Sequence, residues 1–169
     1  ALLSWSVYMD YPLFRKHLKQ HRDRFNKVII YPSDHLREVS FKDFIFEQVK
    51  ETWVTDHTID WFTDPAPDWR QEEVMPMLPL STSEWIYFTE QDFFIRDPDK
   101  FYDLVEGAMQ NADAIGLWNE TDFSYLHPSC FFVKREVLDK TSKDFRAHPE
   151  IRGADHFAMI TRDLEKLGA

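Results

Sequence analysis

The stretch SEWIYFTEQDFFIRDPDKF, Ser83 to Phe101, holds the sharpest contrast in the chain. The run Trp85-Ile86-Tyr87-Phe88 is continuously apolar, the pattern of a strand covered on both faces. It stops at Glu90-Gln91-Asp92, and Phe93-Phe94-Ile95 is apolar again. Asp97 and Pro98 then spell a helix start, with Asp97 as cap and Pro98 in the first turn. Phe101, Leu104, Val105, Ala108 and Met109 share one face of the helix this predicts. A buried strand that runs into two carboxylates and then a helix is a β–α unit with charge at its turn.

Outward from this unit, short apolar runs alternate with helical periodicity along all 169 residues. The alternation predicts an α/β domain with a mixed, mainly parallel sheet flanked by helices, Rossmann-like, with Trp85 to Thr89 central. Leu2 to Met9 reads as the first strand, followed by a helix that Pro12 opens and Phe14, Leu18 and Phe25 stripe. Val28 to Tyr31 reads as the second strand, stopped by Pro32, and Ser40 caps a helix with Phe41, Phe44, Ile45 and Val49 on its apolar face. Thr52 to Val54 is a short third strand, Thr55 to Asp68 is turn-rich, and a short helix near Trp69 to Met75 ends at Pro76. Ala114 to Trp118 and Cys130 to Val133 are two further strands. The last helix carries Phe157, Ile160, Leu164 and Leu167 and stops at Gly168. No repeat or linker interrupts the pattern, so 1–169 reads as a single domain.

Composition bounds the function. Hydrophobic residues make up 43% and aromatics 16%, enough for a packed core. A net charge of −10 argues against nucleic acid as a partner. The run Arg15-Lys16-His17-Lys19-His21-Arg22-Arg24 reads as a solvated helix face, with His17, His21 and His35 on the surface and His57 and His148 in loops. No apolar run is long enough to predict a transmembrane segment. The chain opens on Ala1, not Met, so the lack of a leader sequence carries no weight. A lone cysteine, Cys130, excludes an internal disulfide and a cysteine-only zinc site, and points to a reducing, cytoplasmic setting.

Ligands of open α/β sheets bind beyond the carboxyl ends of strands, where Glu90 and Asp92 stand. Two carboxylates at alternate positions can share a hard cation, Mg²⁺ or Mn²⁺, whose remaining positions are commonly filled by water and substrate phosphate. They can equally be solvated loop acids ahead of a helix, and the spacing alone does not choose between these.

The wider sequence adds a resemblance. TSEWIYFTEQDFFIRDPDKFYDLVEG is similar to the D-x-D segment of glycosyltransferases of the GT-A fold, of the family-two-like kind, with Glu90-Gln91-Asp92 at the motif. LLSWSVYMDYPLFRKHLKQH resembles their opening strand and helix, and NKVIIYPSDH their second strand, which ends at a nucleoside-binding acid, here Asp34. ADAIGLWNE and SCFFVKREVLD resemble the strands after the motif. RGADHFAMITRDLEKLG resembles the late segment that often carries the catalytic base. The order matches over nearly the whole chain.

The resemblance implies a glycosyltransferase that moves a sugar from a nucleotide-diphosphate-sugar donor to an unidentified glycan, lipid or protein hydroxyl. It implies Tyr8, Asp10, Asp34 and Gln91 at the donor, Asp92, Glu90 and His156 at a Mn²⁺ or Mg²⁺ ion, and Asp155 as general base. The bland roles are sheet packing for Tyr8, a turn for Asp34, a helix cap for Asp155 and capping or packing for His156. His127 and Trp118 are candidates for the sugar or acceptor side, Trp61 for a lid, and Trp85 for the core. The sequence departs from the pattern at Glu90, where Asp is usual, and at Tyr8-Met9-Asp10-Tyr11, which lacks the usual Pro-x-Tyr-Asn. It is also shorter than a typical member, as if the acceptor part were reduced or removed. The Glu at position 90 and the short chain favour an alternative, a non-catalytic binding or assembly module of the same fold, whereas Asp92 and Asp155 favour the enzyme. A nucleotidyltransferase is the third reading, but it would want a basic, glycine-rich loop near the first strand, and no glycine precedes Gly107.

Overall fold

The computed structural model describes residues 2–7, 16–17, 20–21, 24–25, 27–32, 58–61, 78–80, 82–90, 93–119, 125–146 and 157–169. Six strands form one sheet: β1 Leu2–Val7, β2 Lys27–Pro32, β3 Thr58–Trp61, β4 Trp85–Glu90, β5 Ala114–Asn119 and β6 Tyr125–Lys134. Their order across the sheet is β3-β2-β1-β4-β6-β5. Pairing is parallel from β3 to β4, and antiparallel where β6 meets β4 and β5. The sheet is therefore mixed, and β4 lies at the junction of its two halves.

That position explains why β4 does not alternate. Ile86 and Phe88 face one side, beside Val133 and Phe131 of β6, and join a core with Phe145, Phe157, Ile160 and Leu164. Tyr87 faces the other side, its ring stacked on Phe132 at 3.9 Å and flanked by Phe25 and His21. Both faces are buried, and each large apolar side chain removed from water stabilises by about 1.5–3 kcal/mol.

Helices cover both faces. Helix α1, Pro98–Ala108, starts as its sequence predicts: Asp97 accepts from the Lys100 amide at 3.2 Å and Pro98 occupies the first turn. Such a cap contributes about 0.5–2 kcal/mol. Helix α1 lies on the Tyr87 side, with Phe101 near Phe132 and Tyr102 buried. A short helix, α2 at Arg135–Leu138, follows β6, and a 3₁₀ turn spans Leu78–Leu80. Helix α3, Ala158–Leu167, covers the opposite face through Ile160 and Leu164 and ends at Gly168, whose φ of 73° is left-handed.

Several expectations are corrected. The segment read as turn-rich contains β3, paired in parallel with β2, and Trp61 lies in that strand opposite Ile30, not in a lid loop. The proposed strand Thr52 to Val54 lies outside the described residues, as do the Ser40 helix and the Trp69 to Met75 helix. His17 and His21 are fully buried, not on the surface, because their side of the helical residues 16, 17 and 20 turns onto Tyr87 and Tyr102. Leu104 and Leu167 are exposed, since Tyr102 and Val105 take the inner face of α1 and Ile160 and Leu164 that of α3.

The start of α3 also differs. Its N-cap is Phe157, with φ of 72° and no side-chain cap bond, and Asp155 lies outside the described residues. A non-glycine residue in the left-handed region costs about 1–3 kcal/mol. Phe157 meets that cost by burying its ring against Phe145 and Phe88, while its amide donates to the Phe145 carbonyl at 2.9 Å.

Candidate functional site

The strand order fixes where a ligand crevice opens. From β1 the chain runs outward to β2 and β3, then returns to lay β4 on the other side of β1. This reversal is a topological switch point, and crevices in open sheets lie there, beyond the carboxyl ends of the strands. Glu90 ends β4 beside Trp5, near the end of β1. Because β6 runs antiparallel, its amino-terminal half reaches the same edge, and Thr89 faces Cys130 across the pair.

A break in register shapes this edge. Gly116 of β5 faces Phe131, yet Trp118 faces Leu126, so His127, Pro128, Ser129 and Cys130 oppose Leu117 alone. Pro128 has no amide hydrogen to give a ladder, which suits it to such a bulge. Gly116 permits it: a Cβ there would lie 2.5 Å from the Cys130 carbonyl oxygen. Bulges bend a strand and re-aim side chains, and this one carries Ser129 and His127 toward the end of β4.

Ser129 is the link. Its hydroxyl donates to Glu90 Oε2 at 2.5 Å, and its amide donates to His127 Nδ1 at 3.2 Å. An Nδ1 that accepts from a backbone amide leaves the proton of the neutral ring on Nε2. His127 and Ser129 line an open cleft of about 440 Å³ with Phe93, Leu117 and Trp118. Trp118 is 50% exposed, an aromatic face at the cleft mouth. The cleft thus sets an apolar wall of Phe93, Leu117 and Trp118 against the Ser129 hydroxyl and the His127 imidazole, with Glu90 joined to it through Ser129. Burial pushes the neighbouring Cys130 thiol up to about 11, so it is a protonated core group at neutral pH. A more enclosed cavity of about 300 Å³ lies near the start of β4, among Phe25, Trp85, Tyr102 and Met109. It is away from the carboxyl ends of the parallel strands, so the open cleft is the better site.

Of the residues singled out by sequence, the structure brings Glu90, His127 and Trp118 to this edge. Tyr8, Asp10, Asp34, Gln91, Asp92, Asp155 and His156 lie outside the described residues. The Phe93 amide bonds back to the Glu90 carbonyl at 3.2 Å, so the chain on either side of Gln91 and Asp92 is tied together. Ser129 and Phe93 were not foreseen. The only sequence signal for Ser129 is its place after His127-Pro128 at the head of an apolar strand, and its pairing with Glu90 depends on a long-range register. Among the described residues no cluster of three or more His, Cys, Asp or Glu is assembled. What is present, a carboxylate in contact with a hydroxyl, is an oxygen donor set and fits a hard divalent cation as part of its shell.

No family model matches the chain, and no curated protein matches it by sequence. Solved structures do resemble it. A mannosyltransferase, PcManGT from Pyrobaculum calidifontis in complex with GDP-Man and Mn²⁺, aligns over 96% of this chain with a TM-score of 0.65 and 15% identity. This chain spans 51% of that one. The 4-diphosphocytidyl-2C-methyl-D-erythritol synthase from Anaerococcus prevotii aligns over 99% of this chain and 81% of its own, with a TM-score of 0.61 and 9% identity. TarS residues 1–349 from S. aureus aligns over 95% of this chain and 53% of its own, with a TM-score of 0.57 and 10% identity. At such identities the likeness is one of fold, a GT-A-like sheet of the kind that glycosyltransferases and nucleotidyltransferases share.

Proposed function

We propose that residues 1–169 form the donor-binding domain of a glycosyltransferase that moves a sugar from a nucleotide-diphosphate-sugar to a hydroxyl acceptor with the help of Mn²⁺ or Mg²⁺. The observation that carries this reading is the position of Glu90, at the switch point and tied to Ser129 at the lip of an amphipathic cleft. The fold shared with a mannosyltransferase holding GDP-Man and Mn²⁺ supports it.

In this reading Asp92, Glu90 and His156 hold the cation, and Tyr8, Asp10, Asp34 and Gln91 hold the donor. The bound cation would offset the charge that develops on the departing diphosphate. Asp155 takes the proton from the acceptor hydroxyl as that oxygen attacks the anomeric carbon. Trp118 offers an aromatic face to a sugar ring, and His127 offers Nε2–H to a hydroxyl or phosphate oxygen. The acceptor is a glycan, lipid or protein hydroxyl. No helix among the described residues is long and apolar enough to cross a membrane.

A nucleotidyltransferase is the second reading, favoured by the fold likeness to the synthase. The two differ in product. With a panel of nucleotide-sugars, Mn²⁺ and hydroxyl acceptors, the first reading gives nucleoside diphosphate. With nucleoside triphosphates and sugar or polyol phosphates, the second gives pyrophosphate. Neither product under any combination favours the non-catalytic module, to which the Glu at position 90 also points. Given turnover, Asp155→Asn separates base from bystander: donor affinity is expected to hold while transfer falls roughly 10²–10⁴-fold.

A further inference from the structure

The segment that follows the acidic pair is held by an unusual device. Residues 93 to 95 belong to no strand or helix, so their backbone groups need other partners. The side-chain amide of Gln20 supplies two: Nε2 donates to the Phe93 carbonyl at 2.6 Å, and Oε1 accepts from the Ile95 amide at 2.7 Å. One planar amide thus meets both groups, as a neighbouring strand would.

The amide is itself held in place. His17 Nδ1 lies 3.2 Å from the Phe93 carbonyl, and Gln20 Nε2 lies 3.1 Å from His21 Nε2. Because Gln20 presents a donor there, His21 Nε2 accepts, and its Nδ1–H donates to the Tyr102 hydroxyl at 2.5 Å. Burial, with His17 a smaller cause, holds His21 well below its ordinary value, so the ring is neutral as this chain of bonds requires. The relay runs from α1 through Tyr102, His21 and Gln20 to Phe93.

Helix packing alone does not call for this. Burying two imidazoles costs free energy that a Leu or Phe would avoid, and the cost is offset only where each polar group is satisfied. Here they satisfy one another and the backbone just beyond Asp92. We propose that Gln20 is a positioning residue: by clamping the backbone at residues 93 and 95 it fixes Phe93 at the cleft, and with it the point from which the chain carries the acids that precede it. The functional half of this inference rests on the donor-site reading of those acids.

The test compares the wild-type protein with Gln20→Met, which keeps volume and loses both bonds, and Gln20→Glu, which keeps an acceptor for Ile95. Amide hydrogen exchange at Ile95 reads the clamp directly. It should quicken about tenfold or more in Gln20→Met and less in Gln20→Glu, since a lost bond to a partly buried backbone group is worth on that order. Calorimetry with GDP and Mn²⁺ reads the function: affinity should fall about tenfold in Gln20→Met and recover in part in Gln20→Glu. Melting temperature and exchange in α3 show that the rest of the fold persists; should Gln20→Met unfold, Gln20→Glu carries both readings. Wild-type exchange at Ile95 in the folded variant overturns the clamp. Quickened exchange with wild-type affinity overturns the positioning role. If the wild-type protein binds no GDP with Mn²⁺, the donor reading falls, and the clamp is still upheld or overturned by exchange at Ile95.

Discussion

Ser129 and Glu90 are tied across the β4–β6 pair, the serine hydroxyl donating to Glu90 Oε2 at 2.5 Å. A hydrogen bond to a carboxylate is worth about 1.5–3 kcal/mol, and its larger effect here is to fix which way the acid points. Ser129→Ala is therefore expected to weaken Mn²⁺-dependent binding of a nucleoside diphosphate about tenfold and to lower the melting temperature by a few degrees without unfolding the protein. Titration calorimetry on the variant decides this, and wild-type affinity would make the bond incidental.

Two glycines make a paired test of the bulge. At Gly116 an added Cβ meets the Cys130 carbonyl oxygen at 2.5 Å, so backbone must shift; at Gly107, within α1, it meets nothing within 4 Å. Gly116→Ala should destabilise by roughly 1–3 kcal/mol, as overpacking does. Gly107→Ala should stabilise by up to about 1 kcal/mol through helix propensity. Opposite shifts in denaturation midpoint are expected. Equal shifts would mean that Gly116 does not hold the strands at their close approach.

What could be read from sequence, and what could not, follows from how far each interaction reaches along the chain. The Asp97-Pro98 helix start was legible because a cap acts within one turn. Strand β4 was legible because cover on both faces leaves a run with no polar interruption. Strand β3 was not: Thr58-Ile59-Asp60-Trp61 is short and lies among acids and prolines that signal turns. The first half of β6 was hidden by Pro128, which marks a bulge here and not a strand end. His17 and His21 stand in a basic run, and nothing local says that their side meets Tyr87 and Tyr102. The Glu90–Ser129 contact needs an antiparallel register between distant segments, which no single-chain pattern contains.

His21 makes stability depend on pH. Its folded-state value is held well below 6.5, chiefly by burial and then by His17, within a setting of Tyr87, Tyr102, Gln20 and Phe25. Below about pH 6.5 the unfolded chain binds a proton that the folded ring refuses, so stability falls as pH drops through that value. One such group contributes a slope of about 1.4 kcal/mol per pH unit, or a few degrees in melting temperature. Thermal denaturation from pH 7.5 down to about 5 should show this slope, and His21→Phe should flatten it. An unchanged slope in His21→Phe would assign the effect to other groups.

The central claim is that the end of β4 binds a nucleotide diphosphate through a divalent cation, and Asp92 is the residue on which it turns most sharply. Asp92 follows the end of β4 by two residues in sequence, and a cation with substrate phosphate is the partner proposed for its carboxylate. The deciding measurement is calorimetry of nucleoside diphosphates, GDP first, with and without Mn²⁺, on the wild-type protein and on Asp92→Asn. The account predicts binding by the wild-type protein only when Mn²⁺ is present, and its loss in an Asp92→Asn variant that melts at the wild-type temperature. Binding that ignores Mn²⁺, or that survives Asp92→Asn unchanged, would contradict it.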